Sequence, residues 1–385
     1  MRCASALSTS RDSDLAVREV LDRLGGEFAG EGADLAVVFA SIHHAEGLAR
    51  LGAELTARGL GRRVLGCTGE TIIGEGREVE AEAALSVWAI RAPGVEFRPI
   101  RIDERDDSIA ALSELGASSP TLLLLGDPFT FAADPWLKRL GEGSPGLPVL
   151  GGMASAGQVP RENVLMLDGA THRDGAVGML VSGPLAIRTL VSQGCRPIGR
   201  PMIVTKVDRN TIRELGRRPA LEVLREVFET LPSDDRERVQ AGLHVGRVIN
   251  EYQDAFRRGD FLVRNVMGAD DAGGIAITDL VRVGQTVQFH VRDAETADED
   301  LRTLVESERS DRPDSKVEGA LLFSCNGRGT RLFPEADHDV GVLRELFGPI
   351  PIAGFFAMGE LGPIGGQNFV HGFTASVVLF EATGA

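Results

Sequence analysis

The stretch LLFSCNGRGTRLF, residues 321–333, combines several side chains that could do chemistry. Its apolar run ends at Cys325 and continues through Asn326 and Arg328, between glycines. A thiol at this point could act as a nucleophile if a base lay nearby, and His371 is the candidate base. A guanidinium in a Gly-flanked loop could instead present paired N–H donors to a carboxylate, with Asn326 able to donate and accept beside it. A third reading is a tight turn in which Cys325 only fills space.

A second group of candidate residues follows a later apolar run, IAGFFAMGELG. Phe355 and Phe356 are adjacent, so one can face the core while Phe356 lines a pocket. Glu360 could receive an amine, or it could cap a helix or pair with an Arg. Asn368 flanks the same turn and is a further candidate for ligand contact.

Two earlier turns complete the set of candidates. Cys67 is placed like Cys325, at the end of an apolar run, and Thr68 and Glu70 follow it. The second turn contributes Gly152 and Ser155. In α/β folds ligands bind in the crevice outside the carboxyl ends of parallel strands, so these turns could border one cleft.

The elements that must position these turns recur three times. Each copy has a buried apolar strand, a helix, a second strand that ends in Gly, and a third strand. The first strands begin near residues 34, 121 and 319, and the glycines that close the second strands are 66, 151 and 354. The pattern predicts an α/β (α+β) fold of layered sheets flanked by helices, with internally repeated strand-helix-strand-strand units.

Residues 187–316, between the second and third copies, follow a different pattern. The segment TDLVRVGQTVQFHVRD alternates apolar and polar residues, which predicts a half-buried antiparallel hairpin. Residues 294–315 predict an acidic surface helix.

Composition and charge exclude several classes of function. The chain has 385 residues, 56 acidic and 41 basic residues, and a net charge of −15, which disfavours nucleic acid as a partner. Four scattered cysteines without a CxxC pair indicate neither a disulfide framework nor a zinc site. No signal peptide or long apolar span is visible, so we expect a cytoplasmic protein without a membrane partner. No cofactor motif is present, and we expect neither a cofactor nor a metal.

Several motifs in one order resemble the FIST (F-box and intracellular signal transduction) family along the whole chain. They are LGCTGETIIGEG, GGMASAG, VSQGCRPIGRPMIVTK, GDFLVRNVMGAD, GQTVQFHVRDA, LLFSCNGRG and GFFAMGELGPIGGQNFVHGFT. The resemblance implies a FIST N-terminal domain over residues 1–220 and a FIST C-terminal domain over residues 221–385. It also implies a sensory module of signal transduction that binds small ligands such as amino acids, with no established catalytic residues.

The leading hypothesis is a stand-alone sensory protein with an amino-acid-like ligand in the cleft between the strand-end turns. Arg328 would hold the carboxylate and Glu360 the ammonium group. Signal output would pass to an unknown downstream protein or through self-association. One alternative is a cysteine-dependent enzyme that acts on a small molecule with Cys325 and His371, and we favour binding over it. Another is a protein-interaction scaffold without an enclosed pocket.

Overall fold

The computed structural model describes residues 1–103, 109, 112 and 120–382. The chain forms two compact units, one of Met1–Val191 with Leu301–Ala385 and the other of Ser192–Asp300. The described α-helices are α1 (Ser13–Phe28), α2 (Leu48–Ala57), α3 (Ala133–Gly143), α4 (Ala220–Thr230), α5 (Ser233–Ala241), α6 (Ala294–Asp311) and α7 (His338–Phe347).

The strands are numbered along the chain. Those before the second unit are β1 (Arg2–Ser8), β2 (Leu35–Ala40), β3 (Arg63–Thr68), β4 (Ile72–Gly74), β5 (Arg77–Val79), β6 (Leu85–Arg91), β7 (Glu96–Ile102), β8 (Thr121–Gly126), β9 (Val149–Met153), β10 (Leu165–Leu167), β11 (Ala170–His172), β12 (Ala176–Ser182) and β13 (Leu185–Gln193). Those of the second unit are β14 (Cys195–Asp208), β15 (Thr211–Leu215), β16 (Arg218–Pro219), β17 (Leu243–Val248), β18 (Phe261–Ala269), β19 (Ile275–Ile277) and β20 (Thr286–Arg292). The last strands are β21 (Val317–Cys325), β22 (Ile352–Ala357), β23 (Glu360–Ile364), β24 (Gln367–His371) and β25 (Thr374–Ala382).

The first unit consists of three six-stranded sheets with one topology. Their strand orders are β1-β6-β2-β3-β10-β11, β7-β12-β8-β9-β23-β24 and β13-β25-β21-β22-β4-β5. In each sheet a first strand (β2, β8 or β21) pairs in parallel with a second (β3, β9 or β22) and antiparallel with a third (β6, β12 or β25). A helix, α2, α3 or α7, joins the first strand to the second. The threefold repeat predicted from the sequence is confirmed, as is the α/β class.

Each copy gives a hairpin to the sheet of another copy. The hairpin β4–β5 of the first copy pairs with β22, β10–β11 of the second pairs with β3, and β23–β24 of the third pairs with β9. The exchange closes a cycle that links all three copies. The hairpin turns have positive φ at both central residues, as a type I′ turn requires, at Glu75-Gly76, Asp168-Gly169 and Gly365-Gly366. The Gly-rich stretches GETIIGEG and GPIGG contain two of these turns.

Alternate residues of the central strands face two different cores. Phe39 and Phe323 point into one core that all three sheets share, and their rings lie 6.0 Å apart in an edge-to-face contact. The intervening residues Val38, Leu124 and Leu322 face three separate outer cores, where the helices pack. Strands buried on both faces explain why the sequence shows continuous apolar runs.

The second unit is a closed β-barrel. Its strands follow the order β14-β20-β17-β18-β19-β15, and the pairing of β14 with β15 closes the ring. The predicted half-buried hairpin over residues 278–293 is therefore wrong. Only β20 is a strand there, it pairs with β14 and β17, and its residues Gln288 and His290 are buried like Phe289. The apolar residues of this alternation, Val287, Phe289 and Val291, pack in the core of the second unit.

This barrel is inserted into the third copy, between β13 and α6. The predicted helix at 294–315 is α6, and its residues Leu301 and Val305 pack in the outer core of the third copy. The sequence-based division at residues 220 and 221 falls within the barrel segment, whereas the compact units divide at 191/192 and 300/301.

Candidate functional site

The carboxyl ends of β3, β9, β21 and β22 meet in one group of turns, which we call the strand-end cluster (residues 67–71, 152–155, 325–331 and 356–360). Four backbone hydrogen bonds join the turns: Ser155 N to Thr68 O (3.2 Å), Phe356 N to Thr71 O (2.9 Å), Met153 N to Gly359 O (2.8 Å) and Asn326 N to Ala357 O (3.0 Å). The hairpin exchange brings turns of all three copies to one place.

Ser155 fastens three of these turns through its side chain. Its buried Oγ donates a hydrogen bond to the carbonyl of Phe356 and accepts one from the backbone N–H of Glu70 at 2.9 Å. The hydroxyl both donates and accepts a hydrogen bond within the protein, so we assign Ser155 the role of positioning the turns.

Arg328 lies inside the protein, with 1% of its surface exposed. Its Nε and Nη2 donate to the two carboxylate oxygens of Asp339, each at 2.7 Å. Its guanidinium also lies over the ring of Phe333, 5.2 Å from the ring centroid. The paired donors that the sequence analysis assigned to a ligand carboxylate are thus occupied by Asp339. Nη1 of Arg328 remains buried without a hydrogen-bond partner among the described residues.

Two buried carboxyl groups beside Arg328, those of Asp339 and Glu78, differ in protonation. Burial opposes the ionisation of Asp339, but the Arg328 charge and hydrogen bonds from Arg328, His338 and Ser324 lower its pKa below the usual range. Burial, followed by the negative charge of Asp339, raises the pKa of Glu78. We therefore describe the group as an Arg328–Asp339 ion pair with a protonated Glu78 beside it. Oε1 of Glu78 accepts a hydrogen bond from Val340 N at 2.9 Å.

Glu360 is fully buried at the first position of β23. Its Oε2 accepts hydrogen bonds from Thr374 Oγ1 at 2.7 Å and Thr374 N at 3.2 Å. Burial raises the pKa of Glu360 to about 8, against the opposing effects of Thr374, Arg328 and the Cys325 thiol. At neutral pH this carboxyl is mainly protonated.

The surroundings of Cys325 oppose its use as a nucleophile. Burial of the thiol, followed by the nearby Glu360 carboxyl, raises the pKa of Cys325 to about 12. A reactive cysteine needs the opposite shift, toward the thiolate. The candidate base His371 is buried, and its Nε2 lies 2.9 Å from Gly362 O. The arrangement therefore suits a protonated thiol that packs and donates weakly.

The loop 326–331 is fastened to the first copy by contacts near the surface. Arg331 forms an ion pair with Glu70, and its Nη1 donates to Asn326 O at 2.8 Å. Thr330 donates from N and Oγ1 to Glu80, at 2.9 and 2.7 Å. These contacts hold the loop over the buried groups.

Several other residues predicted to bind a ligand pack or form hydrogen bonds inside the protein. Cys67 fills the shared core, where burial raises the pKa of its thiol, and Thr68 Oγ1 accepts from Val164 N at 2.9 Å. A Cβ at Gly152 would lie 2.9 Å from the Cβ of Ala357, so Gly152 permits close packing. Phe356 packs in the outer core of the third copy, where a Cβ on Gly329 would lie 2.6 Å from its ring.

Asn368 lies apart from the cluster. Its amide joins β24 to the start of β9, since Oδ1 accepts from Val149 N at 2.9 Å and Nδ2 donates to Leu147 O at 2.7 Å. The other end of β9 carries Gly152. The sequence-based assignment of Asn368 to the same turn differs from the structure because the hairpin β23–β24 carries Asn368 away from Glu360.

Four buried side-chain atoms around this part of the molecule have no nitrogen or oxygen hydrogen-bond partner among the described residues. They are Glu78 Oε2, Asn326 Oδ1, Arg328 Nη1 and Glu360 Oε1. Buried polar groups are normally paired, because each unpaired one costs about 1–3 kcal/mol. The set offers the Asn326 amide oxygen as an acceptor, one N–H donor of Arg328, and two carboxyl oxygens that donate while protonated and accept once ionised. It suits a small ligand that carries both donors and an acceptor.

Two concave regions of the surface lie elsewhere. One, of about 670 Å³, lies beside the end of α6 and includes Arg309, Lys316 and Phe347. The other, of about 420 Å³, lies beside the ends of α1 and α2. Neither includes a residue of the strand-end cluster.

Sequence reasoning missed Glu78, Asp339 and Thr374. Glu78 reaches Arg328 only because β5 joins the sheet of the third copy, and its sequence distance from Asp339 is long. Asp339 stands in the first turn of α7, where an acidic residue is ordinary. Glu78 stands between Arg77 and Val79 in β5, so no apolar pattern in the sequence marks it as buried.

Comparison with known proteins agrees with the sequence motifs. The FIST N domain model matches residues 34–218 and the FIST C domain model matches residues 220–363. The chain belongs to the FIST family. An uncharacterized protein of Mycobacterium bovis is 40% identical to this FIST protein over 385 residues, which cover 99% of each chain. An uncharacterized protein of Mycobacterium tuberculosis is 39% identical over 383 residues, covering 99% of this chain and 100% of the relative.

The family gives the broad function. FIST domains are generally sensory modules of signal transduction. Among the described residues, no helix is both long and apolar enough to cross a membrane. The described part of the chain also has no cluster of His, Cys, Asp and Glu suited to a metal ion.

Proposed function

We propose that this FIST protein is a sensory module that binds a small amino-acid-like ligand at the strand-end cluster. The observation that supports this proposal is the grouping of unpaired buried atoms around residues 326, 328 and 360. A ligand with an ammonium group and a carboxylate supplies donors for Asn326 Oδ1 and Glu360 Oε1, and an acceptor for Arg328 Nη1.

In this proposal Arg328 does not bind the ligand carboxylate through two nitrogens. Since Nε and Nη2 hold Asp339, a ligand carboxylate would receive a single charge-assisted hydrogen bond from Nη1. The Asp339 partner fixes the guanidinium plane before the ligand arrives, so little side-chain entropy is lost on binding.

Entry to the site requires the outer part of the loop 326–331, residues 329–331, to move. The atoms that would contact the ligand are buried, and the loop above them is held by the Arg331–Glu70 ion pair and by Thr330. The exposed Arg331–Glu70 ion pair contributes about 0–1 kcal/mol, so residues 329–331 can move while Arg328 stays paired with Asp339.

Calorimetric titration of the full chain with the twenty amino acids tests the proposal. We expect at least one amino acid to bind, and Asn326→Ala to weaken that binding by roughly tenfold, the effect of one hydrogen bond to a charged group. Asp127→Asn is the matched control, because Asp127 is a buried acid in the second copy with partners on both oxygens. Absence of binding by every amino acid, or equal loss in the control, would contradict the proposal.

A further inference from the structure

Glu360 occupies a position that the other two copies fill with apolar residues. In each sheet the first hairpin strand pairs with the second strand of another copy, and the paired residues are Phe355 with Ile72, Cys67 with Leu165, and Gly152 with Glu360. Ile72 and Leu165 are fully buried in the shared core. The fold therefore forms twice without a carboxyl at this position.

The surroundings of Glu360 leave one of its oxygens for a ligand. Oε2 is occupied by Thr374, whereas Oε1 is buried and has no nitrogen or oxygen donor within reach among the described residues. The titratable and charged groups on the neighbouring elements are Cys325 and Arg328, at and after the end of β21, and His371, opposite Glu360 on β24. Asp339 balances the charge of Arg328.

An approaching ammonium group would change the protonation of this carboxyl. Burial favours the protonated acid while the site is closed, and the pKa of about 8 agrees with that state. An ammonium group brings a positive charge and N–H donors to Oε1, which favour the carboxylate. The O–H bond of Glu360 then breaks, its proton passes to a buffer base, and the ammonium keeps its own protons.

We propose that Glu360 determines specificity for ligands with a protonated amine, and that such a ligand displaces a proton from Glu360 to the solvent. This inference rests on the proposed function and adds to it the chemical class of the ligand and a proton exchanged on binding. A carboxylic acid without an amino group brings no positive charge to Glu360 and would leave it protonated.

The test is calorimetry of the full chain at pH 7 in phosphate and in Tris, two buffers with different heats of ionisation. The probes are each amino acid that binds and the same compound without its amino group, such as alanine and propionate. The observed enthalpy should change between the buffers by close to one released proton per bound amino acid. The deaminated probe should bind roughly 10- to 100-fold more weakly and release no proton.

Glu360→Gln separates the two levels of the proposal. The amide keeps the size of the side chain but cannot ionise, so we expect loss of proton release together with weaker amino-acid binding. Binding of an amino acid without proton release, or proton release that persists in Glu360→Gln, would overturn the inference and leave the proposed function standing. Absence of binding by the native protein for every amino acid would overturn both. Thermal melting of the variant at pH 5 checks that it folds, and Asp127→Asn should retain the proton release.

Discussion

The second and third copies of the repeat differ in how completely their buried polar side chains are hydrogen-bonded. In the second copy, Asp127 follows β8 and is fully buried, and its oxygens accept hydrogen bonds from Asn163 Nδ2 (3.0 Å) and Thr130 Oγ1 (2.6 Å). In the third copy, Asn326, Arg328 and Glu360 each keep a buried atom without a nitrogen or oxygen partner in the described chain.

The difference shows that this architecture can satisfy a buried acid with its own residues. Both copies have the same strand order and the same parallel pairing of their first two strands. The incomplete pairing in the third copy is therefore a property of its particular side chains, and we attribute it to ligand binding. The following variants test how particular residues of the third copy contribute to stability and binding, in order of decreasing expected effect.

Arg328→Met should have the largest effect on stability. It leaves Asp339 buried without its charge partner, and breaking a buried ion pair from one side typically costs about 3–5 kcal/mol. Urea unfolding of the full chain measures the loss. The matched control is Arg331→Ala in the same loop, whose partner Glu70 is partly exposed and whose loss should cost about 1 kcal/mol or less. Equal losses would show that the buried ion pair contributes no more to the free energy of unfolding than the exposed one.

Glu360→Gln should change the pH dependence of stability. The pKa of Glu360 is about 8 in the folded protein, compared with about 4.3 for an unperturbed Glu. As pH rises through this range, the unfolded chain releases the proton while the folded chain keeps it, so the native protein loses stability. Glutamine removes this loss.

Unfolding at several pH values measures the Glu360 effect. The variant should be more stable than the native protein at pH 8, by on the order of 2–4 kcal/mol, and the difference should vanish near pH 4.5. A constant difference across this range would mean that Glu360 is ionised in the folded state.

Gly354→Ala should damage the sheet of the third copy. A Cβ at this position would lie 1.8 Å from the carbonyl oxygen of Leu322 on the neighbouring strand. Overpacking of this kind typically costs about 1–3 kcal/mol. The equivalent Gly66 in the first copy leaves 2.7 Å to Val38 O, so Gly66→Ala should cost less. Gly341→Ala in α7 meets no atom within 4 Å and should raise stability by about 0.5–1 kcal/mol through helix propensity, so it serves as the control without a clash in the same unfolding experiment.

Arg331→Ala should have the smallest effect on stability but a visible effect on kinetics. Removing the ion pair to Glu70 loosens the loop 326–331, so the amino acid found by calorimetry should associate faster. Stopped-flow mixing measures this rate. Because the pair is exposed, the difference between native protein and variant should shrink as salt is added. An unchanged rate at low salt would argue against a gating role for the loop.

The sequence predicts the repeat because each central strand is buried on both faces. Phe39 and Val38, or Phe323 and Leu322, face different cores, so the runs are apolar throughout and stand out at regular intervals. The hairpins are less visible. Three-residue strands such as β4 and β10 are followed by turn residues in the sequence, but nothing in the sequence indicates which copy they pair with.

The grouping of the strand-end turns could be predicted for the same reason. The turns at Cys67, Gly152, Cys325 and Glu360 follow strand ends, and strand ends can be read from the sequence. The burial of Arg328 could not be predicted, because its partner Asp339 lies in an ordinary helix start and Glu78 arrives on an exchanged hairpin. The barrel was recognised only as a change of pattern, since closure depends on the pairing of β14 with β15.

A crystal structure of the native protein with the amino acid that binds most tightly in calorimetry tests the central claim most directly. We predict density for the ligand beneath the loop 326–331, with its ammonium group within about 3.2 Å of Glu360 Oε1 and its carboxylate at the same distance from Arg328 Nη1. A ligand bound at another surface, with the strand-end cluster unchanged, would contradict it.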